Sequence, residues 1–326
     1  MLQKSVFARV NFLGVDTGGT ITDFVLYDGD QLRIHKVLST PDAPERAILQ
    51  GIREMGLEDE GLRLVHGSTV ATNAALEGKG VRTLFITNRG FGDLLTIGRQ
   101  ARPELYNLQP DILQPPVPRE LCIETGGRLD ASGQVIDPLT AEDIEELLRS
   151  VEQNQPRAVA VNLLFSWKDG RLEQRIREAL PDSLFISLSS EVLPEIREYE
   201  RGIATWLNAW VGPIVDGYVK RLRTVLPRAS LSVIQSSGDT MDAARAGDQA
   251  VRMLLSGPAG GLVGANWLGK LAGDEQLLTF DMGGTSTDVS LIDGAPQLTN
   301  EGHIGRWPVA VSMVDMHTIG AGGGSI

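Results

Sequence analysis

Apolar positions along this chain switch between a strand-like and a helix-like spacing, and the switch repeats through most of its length. That alternation is the pattern of an α/β protein. Phe12–Asp16 and Thr22–Tyr27 read as strands joined by a Gly-Gly turn, and Leu32–Val37 follows a turn at Asp28–Asp30. A helix is expected over Pro44–Met55, a short strand over Leu62–His66, and a short helix over Val70–Glu77 that stops at Gly78. Val81–Thr87 reads as another strand. The Pro-rich run from Pro103 to Pro118 is expected to be irregular. A strand pair around Gly126–Val135 then leads to a helix over Ala141–Glu152 capped by Thr140. Ala158–Phe165 is the most apolar of these runs and is expected at the centre of a sheet, followed by a helix over Leu172–Leu180 and a strand over Leu184–Leu188. A long helix from about Tyr199 to Val225, a strand over Leu231–Gln235 and a Gly-rich helix over Gly257–Leu271 come next. Leu277–Asp281 and Thr287–Ile292 form a second hairpin around a Gly-Gly turn.

With 326 residues the chain has room for about two domains, and the boundary is placed at the start of the long helix, giving 1–200 and 201–326. A formal net charge of −12 leaves no basic stripe to neutralise phosphates, so a nucleic-acid partner is not expected. Cys122 is the only cysteine, which excludes an intrachain disulfide and a thiolate metal cage and points to the cytoplasm. The first ten residues lack the apolar run of a signal peptide, and no stretch approaches the roughly 18 apolar residues of a spanning helix, so no membrane partner is expected.

One internal repeat carries most of the chemistry. Asp16-Thr17-Gly18-Gly19-Thr20-Ile21-Thr22-Asp23 recurs as Asp281-Met282-Gly283-Gly284-Thr285-Ser286-Thr287-Asp288, identical at six of eight positions, each copy between two strand-like runs. Paired glycines let a backbone turn sharply and aim successive N–H groups at one point, which suits an anion. A single Gly-Gly turn in a hairpin is commonly structural; duplication of the whole octet favours phosphate binding. A carboxylate beside a bound phosphate is repulsive unless a cation lies between them, so Asp16 and Asp281 imply a divalent ion, Mg²⁺ held partly through water. No P-loop lysine is present to take that role. The pattern predicts two hairpins, one from each domain, closing on one polyphosphate.

Paired Asp-x-Gly-Gly-Thr hairpins resemble the two phosphate motifs of the actin, sugar-kinase and heat-shock ATPase fold. Three further strings narrow the resemblance: His66-Gly67-Ser68-Thr69-Val70-Ala71-Thr72-Asn73-Ala74, Ser256-Gly257-Pro258-Ala259-Gly260-Gly261, and His317-Thr318-Ile319-Gly320-Ala321-Gly322-Gly323-Gly324-Ser325. With the octet at Asp281–Asp288 they resemble the hallmark strings of the hydantoinase/oxoprolinase family, A-type subunit. The resemblance implies an α/β fold with two ribonuclease-H-like domains and nucleotide between them. The second domain would be incomplete here, since family subunits continue for a few hundred residues beyond the position of Ile326.

It also implies an ATP-dependent amidohydrolase subunit that phosphorylates the carbonyl of a cyclic amide of the hydantoin or 5-oxoproline type before ring opening. A B-type subunit or domain would complete the reaction. A ketone carboxylase subunit or small-molecule kinase of the same fold, and a non-catalytic nucleotide-binding fragment, are the alternatives. Asp16 and Asp281 are then the expected catalytic, metal-holding residues. Gly18, Gly19, Thr20, Thr22, Gly283, Gly284, Thr285 and Thr287 are expected at the phosphates. Gly257, Gly260, Gly322 and Gly323 are expected close to the nucleotide.

His66 admits two readings. Ser68 or Thr69 can cap the helix that follows, with His66 satisfied by backbone groups; the resemblance instead places His66, Thr69 and Asn73 in a polar wall of the substrate pocket. For Ser256–Gly264, close helix–sheet packing and backbone approach to nucleotide are equally open. Asp315 and His317 would share one side of an extended segment and could serve as base or ligand. Only four histidines occur, without zinc-like spacing. Glu195, Glu198, Glu200 and Arg201 read as a surface ion-pair cluster, and Trp206 and Trp210 as core or interface. The family usually carries a second glycine where Asp239 follows Gly238.

Overall fold

Strand alternation at the start of the chain builds the first sheet. The computed structural model describes residues 11–100, 106–109, 115–283, 287–305 and 307–323. The chain opens with β1 (Asn11–Thr17), β2 (Ile21–Tyr27), β3 (Leu32–Leu38), α1 (Pro44–Glu54), β4 (Leu62–Ser68) and α2 (Val70–Leu76). Next come β5 (Thr83–Asn88), α3 (Leu94–Ile97), β6 (Cys122–Thr125), β7 (Arg128–Leu129), β8 (Val135–Asp137), α4 (Ala141–Asn154), β9 (Ala158–Asn162), α5 (Arg171–Ala179), β10 (Phe185–Leu188) and α6 (Ser189–Val192). The last main elements are α7 (Glu198–Val225), β11 (Ser230–Ile234), β12 (Thr240–Asp242), α8 (Ser256–Ala272), β13 (Gln276–Met282) and β14 (Thr287–Asp293). No described helix is long and apolar enough to cross a membrane.

Contacts divide the chain into two compact units. One takes the described residues of Met1–Asn73, Val215–Gly302 and Ser312–Ile326, the other Ala74–Ile214 and His303–Val311. Both octets fall in the first unit, where α8 touches β4 and β11 of one sheet and β13 and β14 of another.

In the first unit the six-stranded sheet has the order β12–β11–β4–β1–β2–β3. β1 runs antiparallel to β2 and parallel to β4, and β4 parallel to β11. Three meandering strands extended by parallel ones make a ribonuclease-H-like sheet. Leu13 and Val15 of β1, with Phe24 and Leu26 of β2, point into the core. Helix α1 lies close on that face because Gly51 has no side chain: a β-carbon there would meet the Phe24 ring at 2.2 Å. The second sheet pairs β13 with β14, and β14 with a short strand at His317–Ile319. Ala259 and Leu262 of α8 join Ile292 and Val314 in its core.

The second unit holds a parallel sheet ordered β10–β9–β5–β6. Every residue of β5 and β9 is buried, as expected of a parallel sheet covered on both faces, and β9 is interior as its apolar run predicts. Thr140 caps α4 through a reciprocal box with Asp143. The charged cluster differs from its sequence reading at Arg201. This residue is 1% exposed, donating to Asn162 Oδ1, Ser189 Oγ and the carbonyls of Glu195 and Leu163. Glu173, fully buried nearby, accepts from Leu163 N, Ser189 Oγ and Ser190 N. Arg201 stays inside because these partners satisfy its guanidinium, which a one-dimensional charge pattern does not show. Glu200 does form the expected surface pair, with Arg99.

Candidate functional site

The site starts from strand parity. Since Leu13, Val15 and Thr17 face the core, Asp16 between them must face outward at the end of β1. The register pairs Asp16 with Asp23 across the hairpin and with Gly67 on β4. Asp16 Oδ1 lies 2.9 Å from the place a β-carbon on Gly67 would take, and 3.4 Å from the corresponding place at Gly257, in the first turn of α8. Two glycines from distant parts of the sequence thus leave a slot for one carboxylate, beside the amino end of a 17-residue helix.

Asp16 is open to solvent on one side and walled by protein on the other. That desolvation, then the negative charges of Asp23 and Asp281, push its carboxyl up to about 6. The influence of Asp281 brings the leading residues of both octets into one electrostatic neighbourhood. The octets are compensated differently. Asp23 is paired with Lys36 Nζ at 2.5 Å. Asp288, the register partner of Asp281, accepts instead from the Thr318 hydroxyl at 2.6 Å.

Gly18 N–H closes the first turn onto Ile21 O at 3.1 Å, leaving Gly19 and Thr20 exposed at the tip. Thr22 is fully buried; its hydroxyl is 2.9 Å from that of Ser39, which donates to Gly18 O at 2.8 Å. The hydroxyl braces the turn from inside. In the second copy Thr287, also buried, donates instead to Ala321 O at 2.6 Å. Gly323 N–H donates to Gly283 O at 2.9 Å, so the string that contains Gly322 and Gly323 meets the chain just past β13. Gly284 and Thr285 lie outside the described residues. Gly260 is needed for packing, since a β-carbon there would meet Ile234 at 2.9 Å.

His66 is 1% exposed and both ring nitrogens are engaged. Nδ1 lies 3.2 Å from Val15 O and Nε2 2.6 Å from the Tyr218 hydroxyl. A carbonyl can only accept, so Nδ1 carries the proton and Nε2 accepts from Tyr218. Burial lowers the ring to about 4, against the Val15 bond that favours charge, and the imidazole is neutral at pH 7. This is the backbone-satisfied reading of His66: it holds β1 rather than facing solvent. Thr69 donates to Thr17 O at 3.0 Å, and Asn73 Nδ2 lies 3.4 Å from the Thr69 hydroxyl on an exposed helix face. Asp315 and His317 are both exposed.

Four features escaped the sequence pattern: the slot role of Gly67, the Tyr218 partner of His66, the Ser39 brace, and Leu255. Leu255 enters α8 at φ 60°, a left-handed conformation unfavourable for a side chain, and its N–H donates to Thr72 Oγ1. Only Gly67 left a signal, inside the string that begins at His66.

Among the described residues no three His, Cys, Asp or Glu side chains gather as a metal cage. Magnesium fits such a place, because it keeps several waters and takes one or two carboxylates plus phosphate oxygens. The excess negative charge at Asp16 is what a cation would relieve.

Comparison with known proteins decides the family. The hydantoinase/oxoprolinase N-terminal region matches residues 12–184, and hydantoinase/oxoprolinase matches 201–326. The chain belongs to this family. It is similar to the crystal structure of ATP-dependent caprolactamase from Pseudomonas jessenii, with 31% identity and a TM-score of 0.84 over 96% of this chain and 48% of that one. A nucleotide-free acetone carboxylase structure aligns with 26% identity and a TM-score of 0.84, over 95% of this chain and 48% of that one. 5-oxoprolinase 1 of Arabidopsis thaliana is 31% identical over 95% of this chain and 28% of its own length. The chain thus spans about half or less of the length of these relatives.

Proposed function

We propose that this chain is the ATP-using part of an enzyme that activates the carbonyl of a cyclic amide by phosphorylating its oxygen. The observation that carries the reading is the Asp16 carboxylate, slotted between Gly67 and Gly257 and raised in pKa beside Asp23 and Asp281. Asp16 and Asp281 hold Mg²⁺ in this reading, which when bound would offset the charge of the polyphosphate. The free turn amides of Gly19 and Thr20, and in the second copy those of Gly283–Thr285, cradle the phosphates, with Gly257, Gly322 and Gly323 keeping side chains out of the way and Gly260 seating the helix on Ile234. Thr22 holds the first turn in shape, and Thr287 ties β14 to Ala321.

A lactam is a poor electrophile because its nitrogen feeds electrons into the carbonyl. Transfer of the γ-phosphoryl group to the carbonyl oxygen, with ADP leaving, gives an O-phosphorylated imidate whose carbon takes up water. The protonated ring nitrogen then departs, opening the ring to an acyl phosphate. A second water attacking the acyl carbon releases phosphate that carries the former amide oxygen. The chain's share is positioning and charge neutralisation, the main means of catalysis in phosphoryl transfer. A B-type subunit or domain supplies the hydrolytic step. His66, Thr69, Asn73 and His317 are assigned no direct contact; His66 and Thr69 position β1.

The likeness to acetone carboxylase favours a second reading, in which the phosphorylated carbonyl belongs to a ketone that is then carboxylated. The test measures ATP turnover with hydantoin, 5-oxoproline, caprolactam, or acetone plus bicarbonate, with a B-type subunit supplied. With an ¹⁸O-labelled amide carbonyl, label is expected in the released phosphate. Ring opening that leaves phosphate unlabelled defeats the proposal, and turnover with acetone and bicarbonate alone selects the second reading.

A further inference from the structure

Trp206 and Trp210 are four residues apart on α7, one helical turn, and their rings stack at 5.0 Å with 19° between planes. Trp307 meets Trp206 edge-on at 5.4 Å and 74°. All three belong to the second unit, where with Leu76, Pro116 and Ile304 they line a cleft of about 540 Å³. Small-molecule sites are of this size and are mostly apolar and aromatic.

We propose that this cleft binds an uncharged ring compound, aromatic or alicyclic, by stacking it on the indoles. Trp206 is 3% exposed and forms the floor, while Trp210 and Trp307 are half-buried and form the wall. The wall depends on a glycine: a β-carbon on Gly80 would come within 2.0 Å of the Trp210 indole, so only glycine lets that ring lie flat there. Val81 N–H fixes the same stretch to Trp210 O at 2.9 Å. Gly305, in a left-handed conformation at φ 56°, brings its segment alongside Leu76. Leu76 is left 56% exposed at the rim, so a ring compound would cover apolar surface already present. Among the described residues that line the cleft, the charge balance favours a neutral ligand. Glu77 also lines the cleft, but Lys79 Nζ sits 2.5 Å from its carboxylate and cancels the attraction for a cation.

The site is independent of the ATP reading, and failure of either leaves the other standing. Its test titrates N-phenyl-1-naphthylamine into the intact protein and follows probe fluorescence. Saturable one-to-one binding is expected, weakened at least tenfold by Leu76→Asp and by Trp307→Ala. Leu76 is exposed, so Leu76→Asp serves even where Trp307→Ala disturbs folding, and circular dichroism verifies the fold of each. Absence of saturable binding, or unchanged binding in Leu76→Asp, overturns the proposal. So does tighter competition by benzyltrimethylammonium than by its neutral isostere neopentylbenzene.

Discussion

Asp16 Oδ1 stands 2.9 Å from the point where Gly67 would carry a β-carbon. The two positions are register partners on neighbouring parallel strands, so neither can withdraw without breaking the ladder. Gly67→Ala would force the carboxylate to rotate. The expected result is at least a tenfold loss in kcat/KM for ATP, about 1.4 kcal/mol of transition-state binding, with little change in thermal stability. Gly257→Ala, at 3.4 Å, should be milder. Steady-state kinetics of both variants beside their melting curves check this; wild-type kinetics in Gly67→Ala would remove the slot from the mechanism.

Asp16 should exact a stability cost that depends on pH. Its carboxyl is raised to about 6 in the folded protein, against about 3.9 in an unfolded chain. The folded state therefore holds the proton more tightly, and its advantage, complete below the unfolded value, is lost as pH rises through 6. In magnesium-free and nucleotide-free buffer, Asp16→Asn is expected to be more stable than wild type at pH 7.5, with the gap closing by pH 4, while ATP turnover is abolished. Urea titrations at both pH values decide it.

His66 works in the opposite direction. Its folded value of about 4 lies below the unfolded 6.5, so its contribution is whole above 6.5 and is lost as pH falls toward 4. The loss approaches about 3 kcal/mol at the lower end. His66→Gln should flatten the acid limb of the stability profile. Parallel profiles for variant and wild type between pH 7 and 4.5 would contradict the buried neutral ring.

Arg201→Met removes the positive charge that acts on buried Glu173 through the Ser189 hydroxyl they share. A cost of about 3–5 kcal/mol is expected, read as a fall in the urea midpoint. The double variant Arg201→Met with Glu173→Gln should recover part of it, which separates charge from packing.

Much of this architecture was legible in the sequence because local periodicity dictates it. β1, β2, the capped α4 and the interior β9 stand within a few residues of their expected bounds, and strand parity alone sends Asp16 outward. What escaped depends on approach between distant segments. Gly67 reads as one more glycine until Asp16 is beside it, and Tyr218 reads as a helix residue until it meets a histidine 152 positions away. Arg201 looked like surface charge because its partners, Asn162, Leu163 and Ser189, are far along the chain.

Helix α8 carries five glycines in seventeen residues, at positions 257, 260, 261, 264 and 269. Each interior glycine disfavours a helix by about 1 kcal/mol relative to alanine, so this segment would not hold its shape in isolation. It persists because it is gripped on two sides, at Ile234 by one sheet and at Ile292 by the other. Melting of either sheet strips the helix of half its cover. The two sheets should therefore unfold as one event, and hydrogen exchange along α8 should report the same opening free energy as the strands that flank it.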